Sequence, residues 1–417
     1  MNILEFSQNS YLTSFFLFCF ALILYVFTLA GRRKNQEAHL KKWGTISFAV
    51  TVLGFVAQLV YFITRWIGSG HIPLSNMYEF MSFLAIMIVA AYIVMHFIYR
   101  SAALGLFAVP LAILMMGYAS VFPNEVQPLI PQLKSIWLIL HVSMVGASEA
   151  FFAVGFVAGI MYLVHTMRWD DASKRKSQIA LEFSLFTVII ILGYVVAVFG
   201  YRAAGYEVEL QRTVEVVETI DNNTQINNKS DSISYTLPPI FAASNSKVVG
   251  DEKFLGMQLP LMEVPAAMDS HKTARKMNTV TWSLMSGLLL YGLIRLIIRK
   301  PIAKALQPLL RGMNADDLDE ISYRATAIAF PVFTLGGLIF AMIWAQEAWG
   351  RFWAWDPKEV WALITWLFYS AYLHLRLSRG YHGEKSAWLV VIGFIIVMFT
   401  LVGVNLLIVG LHSYAGV

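Results

Sequence analysis

The residues best suited to chemistry in this sequence are concentrated in one tryptophan-rich segment. Six of the twelve tryptophans lie between Trp344 and Trp366, in the run WAQEAWGRFWAWDPKEVWALITW. Tryptophans often anchor membrane helices at the lipid interface, and such anchoring explains two or three of these rings. Trp349, Trp353 and Trp355 are predicted to lie on a short connection, where flat aromatic faces suit a planar, apolar ligand. Both interpretations remain open on physical grounds.

The tetrad DPKE that follows these rings predicts the start of a helix. Asp356 is a favoured N-cap residue, Pro357 is favoured at the first helical position, and Glu359 falls third, as in a capping box. The tryptophan connection would therefore end on a rigid helix start that holds the rings in place.

The composition shows which kind of element must position these residues. Of the 417 residues, 58% are hydrophobic and only 14% are charged, which is too apolar for a soluble domain and indicates a membrane protein. The formal charge of +5 does not indicate a nucleic-acid partner, because the basic residues mark predicted cytoplasmic loops. The fold class is therefore an all-α integral membrane protein.

About ten apolar runs are long enough to cross a hydrocarbon layer of about 30 Å as helices. The predicted spans are Leu12 to Ala30, Thr45 to Trp66, Met77 to Tyr99, Ala102 to Phe122, Ile136 to Met167, Ile179 to Tyr201, Met277 to Ile298, Ala325 to Trp344, Glu359 to Leu377 and Ala387 to Gly410.

The basic residues predict the orientation of these spans. One set of connections is rich in Lys and Arg, whereas the opposite short connections hold only Arg65, Lys134, Arg351 and Lys358. Because basic residues are retained in the cytoplasm, the second set faces outward. With an even helix count, both termini and the tryptophan-rich loop are expected to be extracytoplasmic.

Three regions are predicted along the chain. They are a six-helix membrane part at 1–200, an extracytoplasmic insert at 201–276, and a four-helix membrane part at 277–417 that contains the tryptophan-rich domain at 344–366. Within the insert, Tyr206 to Val217 alternates like a strand, and the Asn- and Ser-rich stretch Asp221 to Ser234 is predicted to be flexible. Pro301 to Tyr323 is predicted to be amphipathic and partly helical.

The run WGRFWAWDPKEVWALITW resembles the tryptophan-rich WWD domain of haem-handling membrane proteins, and its context resembles the CcsA/ResC family of system II cytochrome c biogenesis. Four further segments match family motifs in family order: SGHIPLSNMYEF at Ser69 to Phe80, WLILHVSM at Trp137 to Met144, AYLHLR at Ala371 to Arg376 and GLHSYAG at Gly410 to Gly416. The resemblance covers nearly the whole chain except the insert. Chain length, helix count and the terminal LHSY favour the synthase branch, and the chain looks closest to Gram-positive ResC members.

Four of the nine histidines lie in these motifs, namely His71, His141, His374 and His412, and imidazole is a common axial ligand of haem iron. His71 lies in a glycine-rich turn beside Pro73 and is not assigned to haem. The resemblance implies that His141 and His412 are the outer ligands. It also implies that His374 is one ligand of an inner site whose second histidine belongs to a companion subunit, CcsB/ResB. The alternatives are an ordinary interfacial histidine for the outer pair and a snorkelling one for His374. His96 and His165 lie near inner helix ends and compete for the inner role.

The resemblance implies that this chain carries haem b across the bacterial plasma membrane as a subunit of a holocytochrome c synthase. Haem would then be attached to the Cys-x-x-Cys-His motif of apocytochrome c, with Trp349, Trp353, Trp355 and Asp356 gripping the porphyrin. No catalytic acid or base is assigned. Cys19 is the only thiol, so thiol-reducing proteins are expected as indirect partners.

Two other functions remain open. A membrane electron-transfer protein with bis-histidine haems would show a stable one-electron couple and turnover with quinols. A haem exporter of the secondary-transporter kind would show inverted repeats and broken helices, and the sequence has no convincing internal repeat. Two membrane-embedded carboxylates, Glu79 and Glu149, are expected to pair with an arginine or a histidine, with no assigned role.

Overall fold

A computed structural model describes residues 2–30, 36–126, 129, 133–220, 223–249, 253–265 and 268–404 of the chain. The chain forms two compact units. The first consists of Met1–Leu185 together with Ile298–Val417, and the second of Phe186–Ile297.

Helices dominate the described residues. The α-helices are α1 Ile3–Ala30, α2 Gln36–Ser69, α3 Met77–Tyr99, α4 Ala102–Ala119, α5 Ile136–Thr166, α6 Arg175–Ala203, α7 His271–Ile298, α8 Ile302–Leu306, α9 Ala315–Phe333, α10 Ala341–Trp349, α11 Pro357–Arg379 and α12 Glu384–Met398. A π-helical segment, Thr334–Phe340, joins α9 to α10, and a second one, Phe399–Gly403, follows α12. Short 3-10 turns lie at Ala172–Lys174 and Gln307–Leu310.

Nine helical segments among the described residues are long and apolar enough to cross a membrane. They confirm the all-α, multi-span fold and nine of the ten predicted spans, although α1 begins at Ile3 rather than Leu12 and α9 at Ala315 rather than Ala325. The tenth predicted span forms α11, whose 23 residues reach about 34 Å. Because α11 is more polar, its crossing stays a prediction, and so does the outward orientation of both termini.

Helix α5 is the central helix of the first unit. It packs against α3, α9, α12, the first π-helical segment and α10. A Cβ on Gly155 of α5 would lie 3.2 Å from the Ser322 carbonyl oxygen of α9, so a small residue permits this close approach. The Ser322 hydroxyl also donates to the Gly155 carbonyl at 3.0 Å. These contacts hold α5 firmly against α9.

A buried ion pair joins α2 to α3 in the same unit. Arg65 Nη2 lies 2.8 Å from Glu79 Oε1, and Ser75 donates to Glu79 Oε2 through its backbone N–H and its hydroxyl. The prediction that Glu79 pairs with an arginine or a histidine is therefore confirmed. The pair fixes the backbone at Ser75 just before α3 begins.

The second unit carries a small β structure. Its strands are β1 Val208–Ile220, β2 Asn223–Tyr235, β3 Phe241–Ala242, β4 Lys247–Val248, β5 Lys253–Phe254, β6 Met257–Gln258 and β7 Met262–Glu263. β1 lies between antiparallel β2 and β4, β3 pairs with β7 in parallel, and β5 pairs with β6. In α7, the Asn278 side chain accepts from the backbone of Ile240 and Phe241, and Trp282 Nε1 donates to the Pro238 carbonyl.

The strand predicted at Tyr206 to Val217 is confirmed by β1, whereas the flexibility predicted for Asp221 to Ser234 stays a prediction. Most of that stretch forms β2, whose backbone pairs with β1 from end to end. A strand beside a long partner gains ladder hydrogen bonds whatever its side chains are, which composition does not reveal. The partly helical character predicted for Pro301 to Tyr323 is confirmed by α8 and the first turns of α9.

Candidate functional site

A cavity of about 210 Å³ lies in the first unit, at the end of α5 that carries His141. Its wall comes from the start of α3, from α5, the first π-helical segment, α10, the start of α11 and the second π-helical segment. Three of the haem-binding residues predicted from the sequence, His141, Trp349 and Trp353, line this cavity together. A concave, largely apolar wall with a few polar groups is typical of a small-molecule site.

The orientation of the His141 ring is set by the π-helical segment. Its Nδ1 lies 2.8 Å from the Gly336 carbonyl oxygen. Because a carbonyl only accepts, Nδ1 is the protonated nitrogen, and the lone pair of the neutral ring is on Nε2. A Cβ on Gly336 would lie 2.6 Å from Met144 Cβ and 3.0 Å from the Val145 backbone nitrogen, so glycine allows this segment to approach α5.

Trp344 is the ring that packs beside His141. The two planes are within 12° of parallel with centroids 6.0 Å apart, and Trp344 is buried. Trp349 packs against Trp344 with centroids 4.8 Å apart. The histidine and two indoles thus form one wall of the cavity. Trp344 was not singled out from the sequence, where it looks like an interfacial residue at the end of a span.

The connection after α10 is shorter than the sequence predicted. The placement of Trp349 on this connection is wrong, because Trp349 is the last residue of α10 and the helix ends at Gly350, with φ 71°. Trp353 lines the cavity, and its buried Nε1 has no hydrogen-bond partner among the described residues. Trp355 has φ 58° and is 70% exposed, and it lies outside the cavity wall.

The predicted capping box at the start of α11 is confirmed. The Asp356 side chain accepts from the first turn, and Glu359 Oε2 accepts from the backbone nitrogens of Asp356 at 3.3 Å and Ala354 at 2.7 Å. Asp356 is buried, and the hydrogen bonds of its side chain make it the helix cap. Glu359 lines the cavity, so the cap fixes the tryptophan connection at the cavity's edge.

Two opposite charges also line the cavity, Glu149 on α5 and Lys358 on α11. Glu149 is buried, and its Oε2 has no hydrogen-bond partner in the part of the chain that is described. The sequence predicts Glu149 as a membrane-embedded carboxylate. It indicates for Lys358 only a place in an outward-facing connection. The signal available for Lys358 was its place in the first turn of the capped helix.

His374 lies near the other end of α11, away from the cavity wall. The Ser378 hydroxyl donates to the His374 carbonyl at 2.9 Å, and it lies 3.2 Å from Nδ1 of the same residue. The ring is exposed on the surface of the chain. Beside it, Arg376 is buried and donates to Asp319 of α9 at 2.7 Å, which holds this end of the helix in place.

The remaining histidine predictions differ in what the structure says of them. His412 lies outside the described residues. His96 stacks on Phe48 with centroids 3.8 Å apart, and its Nδ1 lies 3.3 Å from the Tyr92 hydroxyl, so its ring is engaged in helix packing.

The chain is similar to known cytochrome c biogenesis proteins. A family model described as Cytochrome C assembly protein matches residues 74–237 and 276–412. The cytochrome c biogenesis protein CcsA of Nostoc punctiforme is 33% identical over 380 residues, which cover 90% of this chain and 89% of that protein. CcsA of Crocosphaera subtropica is 32% identical over 414 residues, covering 98% and 97%. CcsA of Gloeobacter violaceus is 31% identical over 398 residues, covering 94% and 91%.

These matches span both membrane parts of the sequence, including the cavity wall. They confirm the resemblance to the CcsA/ResC family, while the closer likeness to ResC members stays a prediction. The spanning helices and the bacterial relatives together indicate a multi-pass protein of a bacterial membrane. The chain therefore belongs to the CcsA family of cytochrome c assembly proteins and has a role in cytochrome c maturation.

Proposed function

We propose that this chain carries haem b across the membrane and holds it for covalent attachment to apocytochrome c. The observation that carries the proposal is the cavity in which His141 and the indoles of Trp344, Trp349 and Trp353 share one wall. An imidazole beside stacked aromatic faces suits a flat, conjugated ligand that contains a metal.

His141 is the proposed axial ligand at this outer site. Histidine ligands commonly donate their second ring nitrogen to a carbonyl, which fixes the tautomer and aims the ligating nitrogen. The Gly336 carbonyl accepts from Nδ1 here, so Nε2 bears the lone pair for iron. His412 is proposed as the second ligand from the family resemblance alone.

The size of the cavity favours a ligand that is only partly enclosed. Its volume of about 210 Å³ is below the range of about 300–1,000 Å³ typical of pockets that enclose a drug-sized ligand. A porphyrin is larger than most such ligands, so one edge would protrude. A protruding edge that carries the vinyl groups is accessible to an apocytochrome.

The attachment step would add two thiols of a Cys-x-x-Cys-His motif across the two vinyl groups. In each addition a carbon–sulfur bond forms, the thiol proton ends on the terminal vinyl carbon, and no oxidant is needed. The chain would act by orientation, which lowers a barrier by roughly 7 to 11 kcal/mol in the best cases. The thiols must arrive reduced, because Cys19 offers no second thiol for exchange. Thiol-reducing proteins are thus proposed indirect partners.

His374 is proposed as one ligand of an inner haem site, with the other ligand supplied by a CcsB/ResB-like subunit. Its ring is exposed on α11, where a second protein can reach it. Haem would be captured there and then pass to the outer cavity.

Co-expression tests this function. Cells that lack other maturation machinery would receive this chain, a CcsB/ResB-like subunit and a reporter apocytochrome c, and covalent haem would be measured on denaturing gels. The unaltered chain should produce holocytochrome. His141→Ala should abolish it and remove the outer haem spectrum, and added imidazole should restore that spectrum. An unchanged spectrum in His141→Ala would refute the ligand assignment, and holocytochrome formation without this chain would refute the function.

A further inference from the structure

An acidic and a basic residue in the cavity, the buried Glu149 and the half-buried Lys358, have no place in the function proposed so far. Glu149 is 5% exposed, and its Oε2 has no hydrogen-bond partner among the described residues. Lys358 lines the same cavity from the first turn of α11. The two charges interact electrostatically, yet no ion pair of 4.0 Å or less joins them in the described part of the chain.

The buried carboxylates of Glu79 and Asp319, in contrast, each form an ion pair with an arginine. Glu79 lies 2.8 Å from Arg65, and Asp319 lies 2.7 Å from Arg376. A buried charge that lacks such a partner is costly and is usually kept for a function. The gap between Glu149 and Lys358 is therefore better explained by a polar group that enters the cavity between them.

The position of this pair relative to His141 limits what that group is. Glu149 follows His141 by about two turns of α5, roughly 12 Å along the helix. The propionate arms of a porphyrin held at its iron by His141 extend over most of that distance. The groups at one edge of haem b are two propionates, which are carboxylates and match an ammonium. The vinyl groups lie at the opposite edge.

We propose that Lys358 binds a propionate of the haem, and that Glu149, which forms no ion pair with Lys358, leaves the Lys358 side chain available to the propionate. The cavity would thus select tetrapyrroles that carry free carboxylates. With the propionate edge directed inward to Lys358, the vinyl edge points out of the cavity toward the thiols. The inference rests on the proposed function and adds to it a specificity residue and a direction for the ring.

The experiment compares haem with haem dimethyl ester, which keeps the iron and the vinyl groups but has no carboxylate. The full chain, in complex with its CcsB/ResB-like subunit in nanodiscs, is titrated with each compound, and the absorption change is corrected with empty nanodiscs. The unaltered complex should bind haem about 10- to 100-fold more tightly than the ester, the range for a hydrogen bond between charged groups. Equal affinities for both compounds would overturn the inference.

Variants then assign the preference to Lys358. Lys358→Gln should lose the preference by weakening haem binding while binding of the ester stays, and the retained ester binding shows that the protein is folded. Lys358→Arg should keep the preference. Lys134→Gln removes an exposed lysine outside the cavity wall and serves as the matched control, with no change expected. A preference that survives in Lys358→Gln would overturn the assignment.

Glu149→Gln tests whether Glu149 competes with the propionate for Lys358. Replacing the carboxyl group with an amide leaves Lys358 available to bind a carboxylate, so haem affinity should stay equal or rise. A fall as large as that of Lys358→Gln would contradict the role given to Glu149. Failure of the proposed function gives a different result, because then neither haem nor the ester binds the unaltered complex above empty nanodiscs, and both proposals fall.

Discussion

The surroundings of His141, which lies beside the start of α11, differ from those of His374, which lies near the other end of the same helix. At its start, α11 helps to close a cavity in which His141 is enclosed by α5, the π-helical segment and the indoles of α10. Near its other end, His374 is exposed and lies within hydrogen-bond distance of Ser378 on the same helix. In the proposed function, a second protein would complete the site at His374, whereas this chain alone forms the wall around His141.

Both ends of the helix are held rigidly, so the difference does not come from flexibility of α11. The start is fixed by the capping box of Asp356 and Glu359. The other end is fixed by the buried pair of Arg376 and Asp319, and the helix ends at Gly380 with φ 63°. What differs is the number of helices around each histidine. The predictions below test that difference, beginning with the largest expected effect.

His374→Ala should remove the inner haem only from the complex with the CcsB/ResB-like subunit. The loss should exceed the roughly 10- to 100-fold typical when only the hydrogen bond that orients a ligand is removed, because the ligand itself is lost. Haem per protein is measured by absorption for the complex and for the chain alone. If the chain alone binds haem through His374, the contrast between the two ends is broken.

Gly336→Ala should damage the cavity end alone. The added methyl group would lie 2.6 Å from Met144 Cβ, so the π-helical segment must move from α5 and the carbonyl that orients His141 must shift. We expect haem affinity at the outer site to fall about 10- to 100-fold and the free energy of unfolding to fall by about 1–3 kcal/mol.

Gly292→Ala is the matched control, because a Cβ there meets nothing within 4 Å and the residue lies inside α7. Titration of haem and thermal unfolding of both variants provide the measurements. An outer site that binds haem normally in Gly336→Ala would show that the His141 ring does not depend on this carbonyl.

The cap of α11 should have a smaller effect. Glu359→Ala removes the carboxylate that accepts from Ala354 and Asp356, and loss of a cap usually costs about 0.5–2 kcal/mol. The tryptophan connection would loosen, so attachment of haem should fall several-fold while inner haem is kept. Glu359→Gln retains one acceptor oxygen, so its attachment yield should lie between those of the unaltered chain and Glu359→Ala. Holocytochrome yield and inner haem absorption separate these outcomes, and equal loss of both signals would indicate misfolding instead.

The sequence was sufficient for features that depend on local pattern. Run length and hydropathy predicted nine spans that the structure confirms, and the tetrad DPKE predicted the cap of α11. The depth of His141 followed from its place in α5, five residues after Ile136. In each case one segment of chain contains all the information needed.

Features that depend on two segments meeting were not predictable. The apolar run around Gly336 looks the same whether it forms an α- or a π-helix, so the bond from its carbonyl to His141 could not be seen. Lys358 and Glu149 lie far apart in sequence, and they line one cavity because α11 and α5 both contribute to its wall. The outward turn of Trp355 depends on its positive φ, which residue type does not reveal.

Ser378→Ala should have the smallest effect, because the Ser378 hydroxyl is the partner that orients His374 and both groups are exposed. An exposed hydrogen bond competes with water and contributes less than a buried one, so inner haem affinity should fall by about tenfold at most. Ser378→Thr keeps the hydroxyl and is the control. Haem titration of the complex with its partner subunit measures both variants. A loss as large as that of Gly336→Ala at the outer site would mean that His374 also lies in an enclosed site, formed when the partner packs over α11.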